Sequence, residues 1–181
     1  MKTRDLLWSV TMVVLGACGG PAVLVAPVVP DAIKAPEGQH VALKFFATGT
    51  QNYTCTAKAD LTGYEWKFTA PEATLYDGET EAAPKAGTHY AGPTWESVDG
   101  SKFLGDGAAA AKADAPDASA IPWLLIPRKS AEGNGELSEL AFAQRVTTTG
   151  GKAPASGCDA GTSGAVEKVP YTATYYFYRP Q

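Results

Sequence analysis

The chain has 181 residues, of which 45% are hydrophobic and 19% are charged, so it can bury a core and is not disordered by composition. Its formal net charge of −4 argues against a nucleic-acid-binding protein, because phosphate binding requires a basic surface. No apolar run reaches the roughly 18–20 residues of a membrane-spanning helix.

The first residues have the features of an export signal. Lys2 and Arg4 precede a mostly apolar stretch, 6–17, whose length is typical of a secretory signal and too short to span a bilayer. The stretch ends in Leu-Gly-Ala before Cys18, which resembles the bacterial lipobox. The resemblance implies cleavage before Cys18 and acylation of this cysteine. The alternative is an ordinary signal peptide cleaved nearby, with Cys18 incidental.

These features predict a protein of the cell envelope with three parts. Residues 1–17 form the signal peptide, residues 18–36 form a lipid-anchored, proline-rich tether, and residues 37–181 form a single β domain held away from the bilayer. An N-terminal strand along the edge of the domain is the alternative for the tether after Val28. Gly19 implies the outer membrane if the host is Gram-negative, with the domain exported.

Two cysteines, Cys55 and Cys158, remain once Cys18 is assigned to the lipid. In an oxidising compartment two thiols match one disulfide, and we expect this bridge in preference to two free thiols. Neither cysteine belongs to a CxxC pair, and no cluster of cysteine and histidine accompanies them. A zinc or redox site is therefore not expected, and the pair is interpreted as structural.

Apolar and polar residues alternate with a period of two along the domain, which is typical of β-strands. The clearest example runs from Tyr64 to Phe68. Residues 171–178 carry aromatic side chains on both faces, as expected of a central strand. We predict an all-β fold, an antiparallel sandwich or partly closed barrel of short strands with little helix.

Turn signals separate these strands, and Asn134-Gly135 gives the strongest prediction of a hairpin, between residues 123–129 and 137–148. The alanine-rich segment 108–120 is compatible with a short helix or with a loop, because Pro116 interrupts it.

His89 is the main candidate for acid–base chemistry. It is one of two histidines, and Glu96 and Asp99 follow within ten residues. Sequence alone does not show that these groups meet, and Ser101 lacks the GxSxG pattern of a nucleophile elbow. We favour a structural role, in which His89 is half-buried on a strand and bonded to a loop carbonyl or to Glu96.

Two further side chains complete the candidate set. Trp95 is interpreted either as a stacking platform for a sugar or apolar ligand or as an anchor in the core, and the core role is favoured. Arg145 lies opposite the face of Phe142, so we expect it to meet solvent or to pair with Glu96 or Asp99. Arg145 as a binding residue for an anionic substrate is the alternative. No calcium-loop spacing is present, so neither a metal nor a cofactor is predicted.

Several short stretches of the chain are distinctive when their order and spacing are considered together. The most specific block is His89–Ser101, and the others are Gln51–Cys55, Pro71–Leu75, Ile121–Leu125, Gln144–Val146, Thr149–Gly151 and Tyr171–Tyr178. Their order and spacing resemble the family known as domain of unknown function 3455, found in exported bacterial and fungal proteins. The resemblance covers about residues 36–178. It implies export but no established activity.

The sequence therefore predicts a lipid-anchored, exported envelope protein whose domain is non-catalytic and serves binding or structure. Its expected partners are the membrane, through the lipid on Cys18, and an unidentified small ligand or envelope protein, but not nucleic acid. The alternative is an envelope hydrolase or lyase that uses His89 with Glu96 or Asp99.

Overall fold

The computed structural model describes residues 24–181, and their fold is all-β, as predicted. The strands are β1 (Gln39–Ala57), β2 (Tyr64–Tyr76), β3 (Lys85–Tyr90), β4 (Thr94–Ser97), β5 (Lys102–Gly105), β6 (Ala111–Ala113), β7 (Trp123–Glu132), β8 (Phe142–Gly150) and β9 (Val166–Pro180). Two short 3-10 helices are η1 (Asp31–Ile33) and η2 (Ala160–Thr162). Within the described range, no helix has the length and apolar character of a membrane span.

All of these strands belong to one antiparallel sheet, in the order β5-β4-β3-β2-β1-β9-β8-β7-β6. The sheet curves until β5 also pairs with β7, where Lys102 lies opposite Glu132. The short strand β6 pairs with the beginning of β7, where Lys112 lies opposite Leu124. The result is a partly closed barrel.

The long strands β1 and β9 form the spine of this barrel. They pair from Gln39↔Pro180 to Thr54↔Val166, and β9 lies between β1 and β8. The prediction of a central strand at residues 171–178 is therefore confirmed. Because side chains alternate along a strand, Tyr175 faces the interior whereas Tyr178 is buried on the outer face.

One part of the interior is filled completely, and we call it the closed half. It is built from Phe45, Leu75, Phe103 and Phe177, all at most 3% exposed. The ring of Phe177 meets those of Phe45 and Phe103 edge to face, each with 5.8 Å between centroids. This is the geometry that aromatic quadrupoles prefer.

The connection between β7 and β8 differs from the hairpin predicted at Asn134-Gly135. The intervening residues, 133–141, form an irregular loop rather than a two-residue turn. Leu137 and Leu140 of this loop are 0% and 1% exposed and belong to the core. Burial of these two leucines outweighs the local turn preference of Asn-Gly. We call residues 133–141 the plug loop.

Segment 108–120 contains no helix. It consists of β6 and irregular chain on either side, so the loop alternative describes it better. Low side-chain volume in this alanine-rich stretch gives a helix little to bury, whereas β6 gains backbone hydrogen bonds from β7.

The segment before β1 packs against the outside of the barrel without forming a strand. Ile33 at the end of η1 is fully buried. Its carbonyl accepts a hydrogen bond from Gln144 Nε2 at 2.6 Å, and Gln144 Oε1 accepts one from the Tyr178 hydroxyl at 2.7 Å. Both faces of β8 are thus covered.

The predicted disulfide between Cys55 and Cys158 is present, with 5.4 Å between the Cα atoms. It ties the end of β1 to the segment that leads into η2. That helix is capped by the Asp159 carboxylate, which accepts hydrogen bonds from the backbone N–H groups of Gly161 and Thr162. Cys18 lies outside the described residues.

Candidate functional site

The turn between β3 and β4 brings His89 and Trp95 together. Gly92 in this turn has φ +137°, a conformation that favours glycine. The resulting register places His89 directly opposite Trp95. Their rings stack inside the barrel with 4.2 Å between centroids and 13° between planes.

His89 is more deeply buried than the sequence suggested, with 3% of its surface exposed. Its Nδ1 lies 2.9 Å from the carbonyl oxygen of Thr94. Because a carbonyl only accepts, Nδ1 is the donor, and the lone pair of the neutral ring is on Nε2. No described residue forms a hydrogen bond with Nε2, which is therefore available to a donor in the interior of the barrel.

Burial keeps this imidazole neutral. It lowers the pKa of His89 to about 3, and although the hydrogen bond to Thr94 raises the pKa, the positive charge of Arg145 lowers it further. A histidine with this pKa is a weak base at neutral pH but a good hydrogen-bond acceptor.

Trp95 serves as an anchor of the core. It is fully buried and meets the rings of Phe103, Tyr175 and Phe177 edge to face, in addition to its stack on His89. Such contacts stabilise the fold by area burial and by about 0.5–1.5 kcal/mol per pair beyond it. The indole therefore forms part of the wall behind His89.

Arg145 points into the barrel, which differs from the expectation of solvent or of an ion pair with Glu96 or Asp99. The outer face of β8 is already covered through Gln144 and Ile33, so the opposite face is the interior. Arg145 Nε and Nη2 donate to the carbonyl oxygen of Pro122 at 3.1 and 2.9 Å. No carboxylate of residues 24–181 forms a salt bridge with it.

Glu96 and Asp99 do not join this group. Glu96 follows the inward-facing Trp95, so its side chain lies on the outside, where it accepts a hydrogen bond from the Tyr90 hydroxyl at 2.7 Å. Asp99 is exposed and holds a turn, accepting hydrogen bonds from the Ser101 hydroxyl and from the backbone N–H of Glu136. The hydrogen bond from Ser101, followed by those from the backbone, lowers the pKa of Asp99 to about 2.

His89, Trp95 and Arg145 line one cavity of about 550 Å³. Its wall is mostly apolar and includes Pro93, Ile121 and Leu124. Its main polar contributors are Gln51, Tyr53, His89, Lys112, Arg145 and Tyr175. Its described lining contains no aspartate or glutamate. We call the part of the interior around Gln51, His89 and Arg145 the cavity half.

The charge of Arg145 acts on the tyrosines of this cavity as well. Burial raises the pKa values of Tyr53 and Tyr175, and the guanidinium opposes the rise in both cases. The cavity is therefore cationic, although the whole chain carries a net charge of −4.

The model of a protein family described as "Protein of unknown function (DUF3455)" matches residues 36–179. The chain belongs to this family. The resemblance noted in its short motifs is thus confirmed, and the matched span includes every residue named above for the cavity. No curated protein and no solved structure has significant similarity to the chain.

Two cavity residues, Gln51 and Tyr53, were not candidates from sequence. They continue the inward-facing series of β1 that begins with Phe45 and ends with Cys55. Gln51 is 3% exposed, and its side-chain nitrogen has no partner among the described residues. The signal available in the sequence was a single polar residue, Gln51, within a series of inward-facing residues that is otherwise apolar. Residues 24–181 contain no cluster of side chains suited to a metal ion.

Proposed function

We propose that this protein is an exported, lipid-anchored binding protein whose barrel holds a small molecule in the cavity half. The supporting observation is the cavity itself, in which buried polar groups with unused hydrogen-bonding capacity stand in an apolar wall. A volume of about 550 Å³ is within the range of small-molecule sites. Mostly apolar linings with a few polar groups are typical of such sites.

Export and lipid anchoring rest on the N-terminal motif that ends at Cys18. The disulfide between Cys55 and Cys158 agrees with an oxidising compartment outside the cytoplasm. Several acyl chains hold a protein on a membrane stably, whereas one chain binds only marginally. The lipid on Cys18 would therefore be the membrane partner in this proposal.

A binding role is favoured over the hydrolase or lyase based on His89 with Glu96 or Asp99. That chemistry needs an acidic group near the imidazole to orient it or to share its proton. Glu96 and Asp99 lie outside the cavity, and the partner of His89 Nδ1 is a backbone carbonyl. Burial also leaves His89 a weak base.

The binding proposal is tested by filling the cavity. Ala110 lines it and is half-buried, whereas its neighbour Ala109 is exposed and does not line it. We expect small apolar fragments to raise the melting temperature of the full-length protein and of Ala109→Phe, but not that of Ala110→Phe. Equal shifts in the two variants, or no shift with any fragment, would contradict the proposal.

The anchoring proposal is tested on the N-terminal peptide. In a bacterial host that processes lipoproteins, mass spectrometry should find Cys18 as the first residue, with the mass of its acyl chains. Cys18→Ser should release the protein from the membrane fraction. An unmodified first residue elsewhere, or membrane association that survives Cys18→Ser, would refute this part.

A further inference from the structure

The side chain with the most unused binding capacity in the barrel is Arg145. A guanidinium has five N–H donors, and the carbonyl of Pro122 accepts from only two of its nitrogens. That carbonyl carries no formal negative charge. Arg145 is half-buried, and a charge that loses part of its hydration without gaining a countercharge is unfavourable, so an anion in the cavity would stabilise it.

A second donor in the same cavity also lacks a partner. Only 3% of the surface of Gln51 is exposed, and its Nε2 has no hydrogen bond to any described residue. A buried donor without an acceptor destabilises the protein, because its lost hydration is not replaced. Gln51 Nε2 therefore has no acceptor among residues 24–181, and Arg145 has N–H donors beyond those bound to Pro122.

The surrounding charges indicate how much negative charge the occupant carries. Arg145 is the guanidinium of the cavity, and the other cation of its lining, Lys112, is exposed on β6. One half-buried guanidinium matches a monoanion. A carboxylate suits it in shape, because the planar fork of N–H groups binds both carboxylate oxygens. A dianionic phosphate would carry a second charge into a largely apolar cavity.

We propose that the natural ligand of the cavity is a small carboxylic acid with an apolar body, bound through its carboxylate by Arg145. The apolar body lies against the wall formed by residues such as Pro93, Ile121 and Leu124. The Nε2 lone pair of His89 adds a preference for ligands that also carry a hydroxyl or N–H donor. This inference rests on the proposed binding function and specifies its ligand.

Matched acids and amides test the carboxylate directly. Isothermal titration of the full-length protein at pH 7 would compare 3-phenylpropanoate and octanoate with their primary amides. We expect at least one acid to bind at least tenfold more tightly than its amide. If the amides bind as tightly as the acids, this inference fails while the proposed function stands. If no probe binds, both fail.

Phenyl phosphate separates the two kinds of anion. We expect it to bind more weakly than the preferred carboxylate, because a single half-buried guanidinium is available to balance its charge. Tighter binding of phenyl phosphate than of either acid would overturn the assignment to carboxylates.

Two cavity variants and one control test whether the acid binds at this site. Arg145→Met should abolish the preference for the acid while the affinity for the amide stays within about threefold. Gln51→Glu keeps the shape of the side chain but adds a negative charge to the cavity, and it should weaken acid binding at least tenfold. Gln181→Glu makes the same change of charge at the exposed C-terminus and should leave binding unchanged. Acid binding that survives both cavity variants would refute the role of this site.

Discussion

The closed half and the cavity half of the barrel share strands β1, β2 and β9, yet the first is filled by side chains and the second leaves space open. In the closed half, Phe45, Phe103 and Phe177 interlock edge to face. In the cavity half, His89 and Arg145 border about 550 Å³ of unfilled volume. The difference separates residues that fill the core from residues that border a cavity, where our proposal places a ligand.

The largest expected difference comes from one substitution in each half. Phe177→Ala should lower the free energy of unfolding by about 4 kcal/mol, because it removes buried surface and leaves a void. Arg145→Met should change it by less than about 1 kcal/mol or raise it, because an unpaired, half-buried charge is replaced by an apolar chain. Urea unfolding measures both values. A larger loss from Arg145→Met than from Phe177→Ala would invalidate the contrast.

The disulfide begins at Cys55, which follows the cavity residues Gln51 and Tyr53 on β1, so we expect it to stabilise the cavity half. Replacing Cys55 and Cys158 together by serine should lower the free energy of unfolding by about 3 kcal/mol, because the unfolded chain regains the freedom of a 103-residue span. Backbone amides near Gln51 should then exchange hydrogen faster than those near Phe103. Cys18→Ser provides the control and should leave both quantities unchanged. Uniform acceleration of exchange in both halves would argue against this local role.

Acid should affect the cavity half first, through His89. In the folded state its pKa is about 3, against about 6.5 in an unfolded chain. Below pH 6.5 only the unfolded state takes up this proton, so stability falls as the pH decreases from 6.5 towards 3. Between pH 7 and pH 5 the loss due to His89 should be about 2 kcal/mol.

His89→Gln should remove this part of the pH dependence, measured by urea unfolding at several pH values. His40→Gln leaves His89 in place and serves as the matched control. A wild-type stability that stays constant between pH 7 and pH 5 would contradict the buried, neutral state of His89.

The smallest expected effect concerns Asp99, which joins the turn after β4 to the plug loop of the closed half. Asp99→Asn should lower the free energy of unfolding by about 1 kcal/mol, the usual net contribution of a hydrogen bond, because Asp99 is exposed and its charge is screened by solvent. It should leave ligand affinity unchanged, because Asp99 does not line the cavity. Asp77→Asn, at an exposed position without a described side-chain hydrogen bond, is the control. A change in ligand affinity with Asp99→Asn would show that this residue influences the cavity, contrary to its position in the structure.

The strands could be predicted because alternation is a local property. Tyr64–Phe68 and residues 171–178 show the two-residue period directly, and the structure has β2 and β9 there. The plug loop could not be predicted in the same way. Its Asn134-Gly135 pair is a strong local turn signal, but burial of Leu137 and Leu140 depends on a barrel end assembled from distant strands.

The orientation of Arg145 shows a second limit of sequence analysis. Alternation states that Arg145 and Phe142 lie on opposite faces of β8, but it does not state which face is the interior. Both faces of β8 are covered, one by the barrel and one by the segment around Ile33. The meeting of His89, Gln51 and Arg145 likewise depends on three strands far apart in the chain.

The hydrogen bond from Gln144 to the carbonyl of Ile33 has a consequence for where the domain can be cut. The family match begins at residue 36, but a chain shortened to that point would lose the acceptor of the Gln144 amide and the fully buried side chain of Ile33. The first loss would cost about 1–3 kcal/mol and the second about 2 kcal/mol. The segment that the family model matches is therefore shorter than the segment that a stable domain requires, which includes Ile33.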